Sequence, residues 1–250
     1  MTRPTILACL LIVSAWCGEG APAEKTLHLL ICSGQSNMGG IDVPKTVVPP
    51  IQAAFPQDEI VVAKFAVGGM PILCWSKLPE DAGKTHGSVV AGTHYDSLIA
   101  AVTKALAGRR PDTLHFLWLQ GETEGRNATI TQSYYEKELE SLITTLRKDL
   151  ARDDLFTVIA RISDYGASRQ LKAWEAVRAA QVAVAERLPR SRWIDTDDAT
   201  SGKTDEQKKA SITGPNADVH YDGEGHALIG KRFAEAVITQ LKQAAAPVKP

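Results

Sequence analysis

Residues 27–40 read LHLLICSGQSNMGG. The apolar run 27–32 is nearly continuous rather than alternating, which is the pattern of a parallel strand buried on both faces. It breaks at once into Ser33, Gly34, Gln35, Ser36, Asn37 and Met38, with Gly39 and Gly40 behind them. In an open α/β sheet, ligands collect outside the carboxyl ends of the strands, so Ser36 stands where a nucleophile would be presented. A turn of Ser, Asn and Gly formed for local backbone reasons accounts for the same residues. The rest of the chain decides between the two.

Working outward, 60–67 (IVVAKFAV) is a second apolar run and ends at Gly68-Gly69. A third, 113–119 (TLHFLWL), runs into Gln120-Gly121-Glu122. Residues 156–162 and 191–195 complete five predicted strands. Helical stripes alternate with them over 94–107, 130–152, 174–188 and 223–244, where apolar residues recur at three- and four-residue spacing. Prolines 44, 49, 50 and 56 mark 41–56 as a loop, and 74–93 and 197–217 also read as loops. The alternation predicts a three-layer α/β/α sandwich around a parallel sheet of about five strands, flavodoxin-like, with right-handed crossovers.

Three predicted strands thus end in small polar clusters, and a parallel sheet gathers them at one rim. A fourth cluster, Asp218-Val219-His220-Tyr221, precedes the last helix. They supply a hydroxyl, an imidazole, carboxylates and glycine amides, which are the parts acyl transfer uses.

The remaining features bound the class. The 250 residues are 44% apolar and 23% charged, ordinary for one globular domain. A net charge of -1 offers no basic field for nucleic acid or an anionic membrane. Arg3, the apolar segment 6–16 and Ala21-Pro22-Ala23 form a secretory signal pattern too short to span a membrane. The expected division is a signal peptide over 1–23 and a single domain over 24–250, secreted or periplasmic, with no membrane attachment after cleavage. Cys32 and Cys74 remain after that cleavage, and their spacing leaves open whether they pair. No metal-ligand spacing, Walker sequence or dinucleotide-type glycine pattern occurs, so no cofactor and no metal are expected. Oligomeric state is not legible.

The motifs GQSNM (34–38), VGGMPI (67–72), WLQGE (118–122) and VHYDGEGHALIGKRFAEA (219–236) carry a resemblance. The chain resembles SGNH-type hydrolases, and among them the sialate O-acetylesterase and acetylxylan esterase branch of carbohydrate esterases. It lacks the second glycine of a G-x-S-x-G elbow, having Met38 there. The resemblance implies an acetylated carbohydrate substrate, Ser36 as nucleophile and His220 as base. It also implies an oxyanion hole from the N–H of Ser36, an N–H of Gly68-Gly69 (Gly69 by preference) and the amide of Gln120. Gln35, Asn37 and Trp75 are expected to touch substrate, with Trp75 at the pocket mouth. Many relatives carry the orienting acid three residues before the histidine; here that residue is Ala217. Glu122 is therefore the first choice for the acid, Asp218 the second, and Asp195, Asp197 and Asp198 are weaker ones. A general short-chain esterase is the alternative in the same chemistry. A non-catalytic carbohydrate-binding module on a degenerate hydrolase fold is the alternative from another class.

Overall fold

A computed structural model describes residues 25–165, 170–199 and 219–245. The predicted signal peptide and Asp218 lie outside the described residues.

The long sheet has five strands: β1 (Leu27–Gly34), β2 (Glu59–Ala66), β5 (Thr113–Leu119), β6 (Phe156–Ala160) and β7 (Ser191–Ile194). The two strands between them in sequence, β3 (Thr85–His86) and β4 (Val89–Val90), form a separate hairpin. The long sheet runs β2-β1-β5-β6-β7, and all its pairings are parallel. All eight residues of β1 are buried, as expected of a central strand whose faces are both covered.

Helices cover both faces. One layer holds α1 (Ser36–Gly40), α2 (Val43–Thr46), α3 (Val48–Ala54) and α8 (Gly223–Ala245). The other holds α4 (Thr93–Leu106), α6 (Gln132–Asp149) and α7 (Lys172–Arg187), with the single turn α5 (Glu122–Gly125) packed on α7. Because β2 lies on one side of β1 and β5 on the other, the chain reverses direction across the sheet at β1/β5. That reversal opens a crevice at the carboxyl ends of these two strands.

Two loop expectations are corrected. The stretch 41–56 contains α2 and α3, because Pro44, Pro49 and Pro50 all fall in first turns. There the missing N–H has no intrahelical acceptor to lose. The stretch 74–93 holds the β3–β4 hairpin and two 3₁₀ turns, Ile72–Trp75 and Pro79–Asp81. Cys32 and Cys74 are both free and buried, and burial pushes the Cys32 thiol up to about 12.

Candidate active site

The turn that carries Ser36 is made possible by Gly34. Its φ is +149°, and a Cβ there would lie 1.9 Å from the carbonyl oxygen of Leu119. β1 and β5 therefore end in backbone contact, and Gln35 N–H donates to that same carbonyl at 3.1 Å. The chain then turns into α1, whose first residue is Ser36. As the first residue of a helix, Ser36 keeps its backbone N–H free of any intrahelical bond.

Ser36 Oγ lies 2.8 Å from His220 Nε2, although the two residues are 184 apart in sequence. His220 is exposed and stands two residues after the last undescribed position, just before α8. Its neighbours on both sides are tied down by one residue. Asn37 Nδ2 donates to the carbonyl of Val219 at 2.9 Å, and Asn37 Oδ1 accepts from Tyr221 N–H at 3.3 Å. The same Nδ2 donates to Glu122 Oε1 at 2.6 Å. Asn37 thus joins the nucleophile turn, the base segment and the β5 loop.

Glu122 is 1% exposed, and burial raises its carboxyl above the usual range against the pull of Asn37. Among the described residues its Oε2 has no partner. Among the described residues, Glu122 makes no hydrogen bond to His220 and reaches the segment around it through Asn37. Glu122, the first choice for the acid, is thus placed one residue away from the imidazole, with Asn37 between them. The weaker candidates are engaged elsewhere. Asp195 pairs with Arg161 at 2.9 Å, Asp197 with Arg178 at 2.7 Å, and Asp198 with Arg232.

Gly68 approaches Ser36 from the β2 loop: a Cβ there would sit 3.5 Å from Ser36 Cβ. Gly69 follows with φ +71° and open space around it. Among the described residues, the N–H groups of Ser36, Gly68 and Gly69 donate to no protein acceptor. Gly68 thus lies against the Ser36 side chain with its N–H unclaimed by a described acceptor.

Gln120 is placed differently from the expectation. It is fully buried, and its carboxamide nitrogen donates to Met70 O at 3.2 Å and Glu124 Oε2 at 2.6 Å. Its Oε1 accepts from Tyr135 Oη at 2.8 Å. Both amide hydrogens are engaged, so the side chain braces the loop and offers nothing to an oxyanion. Gln35 and Asn37 are likewise interior, at 1% and 0% exposure, and Gln35 Oε1 accepts from Thr123 Oγ1. Trp75 is not at a mouth. It is fully buried, donates its indole N–H to Ser33 Oγ at 3.1 Å, and packs edge-on against Trp118 at 5.5 Å.

Two residues at the site escaped the sequence reading. Glu124 is 3% exposed beneath the Gly68-Gly69 loop. Its signal was the second acid in GETEG, which reads as an ordinary first-turn carboxylate. His226, on the first turn of α8, lies against Gly40, where a Cβ would meet its ring at 2.3 Å. Burial, and then the neighbouring His220, press the His226 imidazole below its ordinary range.

Among the described residues, no group of three or more His, Cys, Asp or Glu is arranged to hold a metal ion. No helix among them is long and apolar enough to cross a membrane.

Residues 50–239 match the family model described as carbohydrate esterase, sialic acid-specific acetylesterase. That match covers more than half of the chain and begins downstream of Ser36. Three solved structures share the fold. A protein from Arabidopsis thaliana is 17% identical with a TM-score of 0.59, over 86% of this chain and 99% of that one. The NanS structure is 14% identical with a TM-score of 0.60, over 88% and 98%. A carbohydrate acetylesterase from Xanthomonas citri is 15% identical with a TM-score of 0.59, over 85% of this chain and 55% of that one. No curated protein matches the chain in sequence.

Proposed function

Since the chain belongs to the sialic acid-specific acetylesterase family of carbohydrate esterases, we propose that it removes O-acetyl groups from carbohydrates with Ser36 as nucleophile and His220 as base. The observation that carries this is the 2.8 Å contact between Ser36 Oγ and His220 Nε2. A serine hydroxyl is a weak nucleophile until a neighbouring base accepts its proton. As Oγ bonds to the acetyl carbonyl carbon, its proton passes to Nε2. The carbonyl oxygen takes up negative charge, and the N–H groups of Ser36 and the Gly68-Gly69 turn hold it. Collapse of this intermediate breaks the bond to the sugar oxygen, which leaves with the proton from Nε2. Water then attacks the acetyl-serine by the same route in reverse, releasing acetate and restoring the hydroxyl.

The N–H donors are worth about 10²–10³ in rate each where such a donor has been removed from an acyl-transfer site. Asn37 fixes the backbone on either side of His220, so Glu122 supports the base through that amide. We place the mature protein outside the cytoplasm, on the strength of the signal pattern at 1–23.

The test is turnover of p-nitrophenyl acetate and of acetylated sialic acid and acetylated xylan by the chain and by Ser36→Ala. The expected result is hydrolysis of the aryl ester and of at least one sugar ester, lost by about three orders of magnitude or more in Ser36→Ala. Turnover that survives Ser36→Ala, or binding of the sugars with no turnover by either form, overturns the proposal.

A further inference from the structure

Glu124 has no place in the steps above, yet both its oxygens are bonded. Oε1 accepts from the backbone N–H of Ile72 at 2.5 Å, and Oε2 accepts from the Gln120 carboxamide at 2.6 Å. The same carboxamide nitrogen donates to the Met70 carbonyl at 3.2 Å. One carboxylate and one carboxamide therefore grip the β2 loop at two peptide groups. On its upstream side the loop is tied by Val67 N–H to the Gly34 carbonyl at 3.1 Å. Between those ties hang Gly68 and Gly69, with Gly68 directly over Ser36. A pair of glycines has no side chains to hold its own conformation. The direction of its N–H groups is set by how firmly its ends are held.

We propose that Glu124 is a positioning residue of the esterase reaction: its carboxylate form sets the Gly68-Gly69 turn against Ser36, through Ile72 N–H and the Gln120 carboxamide, and its protonation releases the turn. This rests on Ser36 being the nucleophile.

A buried carboxylate is costly unless its oxygens are bonded, so both bonds are needed to keep it ionised. Burial raises the Glu124 carboxyl to about 7, against the two N–H donors that lower it. The titratable groups facing it are Glu122 on its own turn, Cys74 on the 3₁₀ turn 72–75, and Tyr134 and Tyr135 on α6. None of these supplies a positive charge, and Glu122 raises it further. A protonated carboxyl is itself a donor, so one of the two N–H groups it serves must lose its acceptor. The turn is thus held above that range and loosened as pH falls through it.

The experiment compares the full chain with Glu124→Gln. Active sites are counted with a serine-directed organophosphate, so that kcat is per competent site. In Glu124→Gln an amide nitrogen faces the amide of Gln120, donor against donor. The expected result is a fall in kcat of about 10- to 100-fold, the scale of a misplaced oxyanion donor, with KM within about threefold. In the unaltered chain, protonation of Glu124 should carry kcat toward the Glu124→Gln level, so the ratio of the two kcat values should shrink as pH falls through about 7. A brace that only holds the fold together would lower the count of active sites and leave kcat per site unchanged. That outcome, or a kcat ratio that stays constant as pH falls, overturns the inference. If Ser36→Ala remains active, the nucleophile assignment itself fails. If Ser36→Ala is dead while kcat of Glu124→Gln holds, only the role of Glu124 fails.

Discussion

Replacing Asn37 by alanine should damage turnover far more than binding, and the structure allows the size to be worked out. Three hydrogen bonds disappear: to Glu122 Oε1, to Val219 O and from Tyr221 N–H. The bond to the carboxylate is worth about 1.5–3 kcal/mol and each backbone bond about 1 kcal/mol. Asn37 is fully buried, so water does not replace them at once. Glu122 would then have both oxygens buried without a partner, and it answers by taking up a proton, which its raised pKa already favours. That relief trims the loss to roughly 3–4 kcal/mol. At about 2–4 °C per kcal/mol for a chain of this size, the melting temperature should fall on the order of 10 °C. The catalytic effect is separate. Among the described residues, the hydrogen bonds that tie the residues flanking His220 to α1 pass through Asn37. A displacement of the imidazole by about 1 Å costs on the order of 10²-fold. The assay is kcat and KM for p-nitrophenyl acetate at a temperature where the variant is folded by circular dichroism, with thermal melts alongside. A folded Asn37→Ala with kcat within threefold of the unaltered chain would refute the idea that this amide positions the base.

Two further outcomes follow from other parts of the fold. Trp75→Ala should destabilise by about 3–5 kcal/mol, because it empties a fully buried site and removes the indole N–H that Ser33 Oγ accepts. At temperatures where it stays folded, its KM for acetylated sugars should match the unaltered chain, and a KM rise of tenfold would restore Trp75 to the substrate. Glu138, on α6, is 2% exposed, and burial, with Asp81 beside it, raises its carboxyl to about 8. A carboxyl with a raised folded pKa contributes its stability below its unfolded value near 4.5 and loses it as pH rises through about 8. Chemical denaturation should therefore show stability falling between those pH values, and Glu138→Gln should flatten that slope; an unchanged slope would assign the decline to other groups.

The strands were the most legible part of the chain. Their apolar runs are unbroken because both faces of the sheet are covered, and the start of β5 at Thr113 and its end at Leu119 are where the sequence puts them. Ser36 and His220 were legible as residue types beside strand and helix ends, and the fold places them in contact. What the sequence concealed were roles decided by distant partners. Trp75 sits among loop residues and reads as surface, but its anchor is Ser33, on a strand 42 residues earlier. Gln120 looks like an oxyanion amide until Glu124 and Met70 are seen to claim both of its hydrogens. Asn37 reads as a turn residue or a sugar contact, and its partners lie 85 and 182 residues away. Prolines 44, 49 and 50 argued for a loop because proline breaks helix interiors, whereas a run of short helices consists largely of first turns.

The reacting pair is drawn from the first strand's exit and the threshold of the final helix. On the proposed mechanism, a ribosome-bound fragment that ends before residue 220 owns the alcohol and the glycine amides but has nothing to draw the proton off. Ester cleavage would then begin only when the segment ahead of α8 docks against α1, and the appearance of acetate during synthesis or refolding would time that docking more directly than any spectroscopic signal from the sheet.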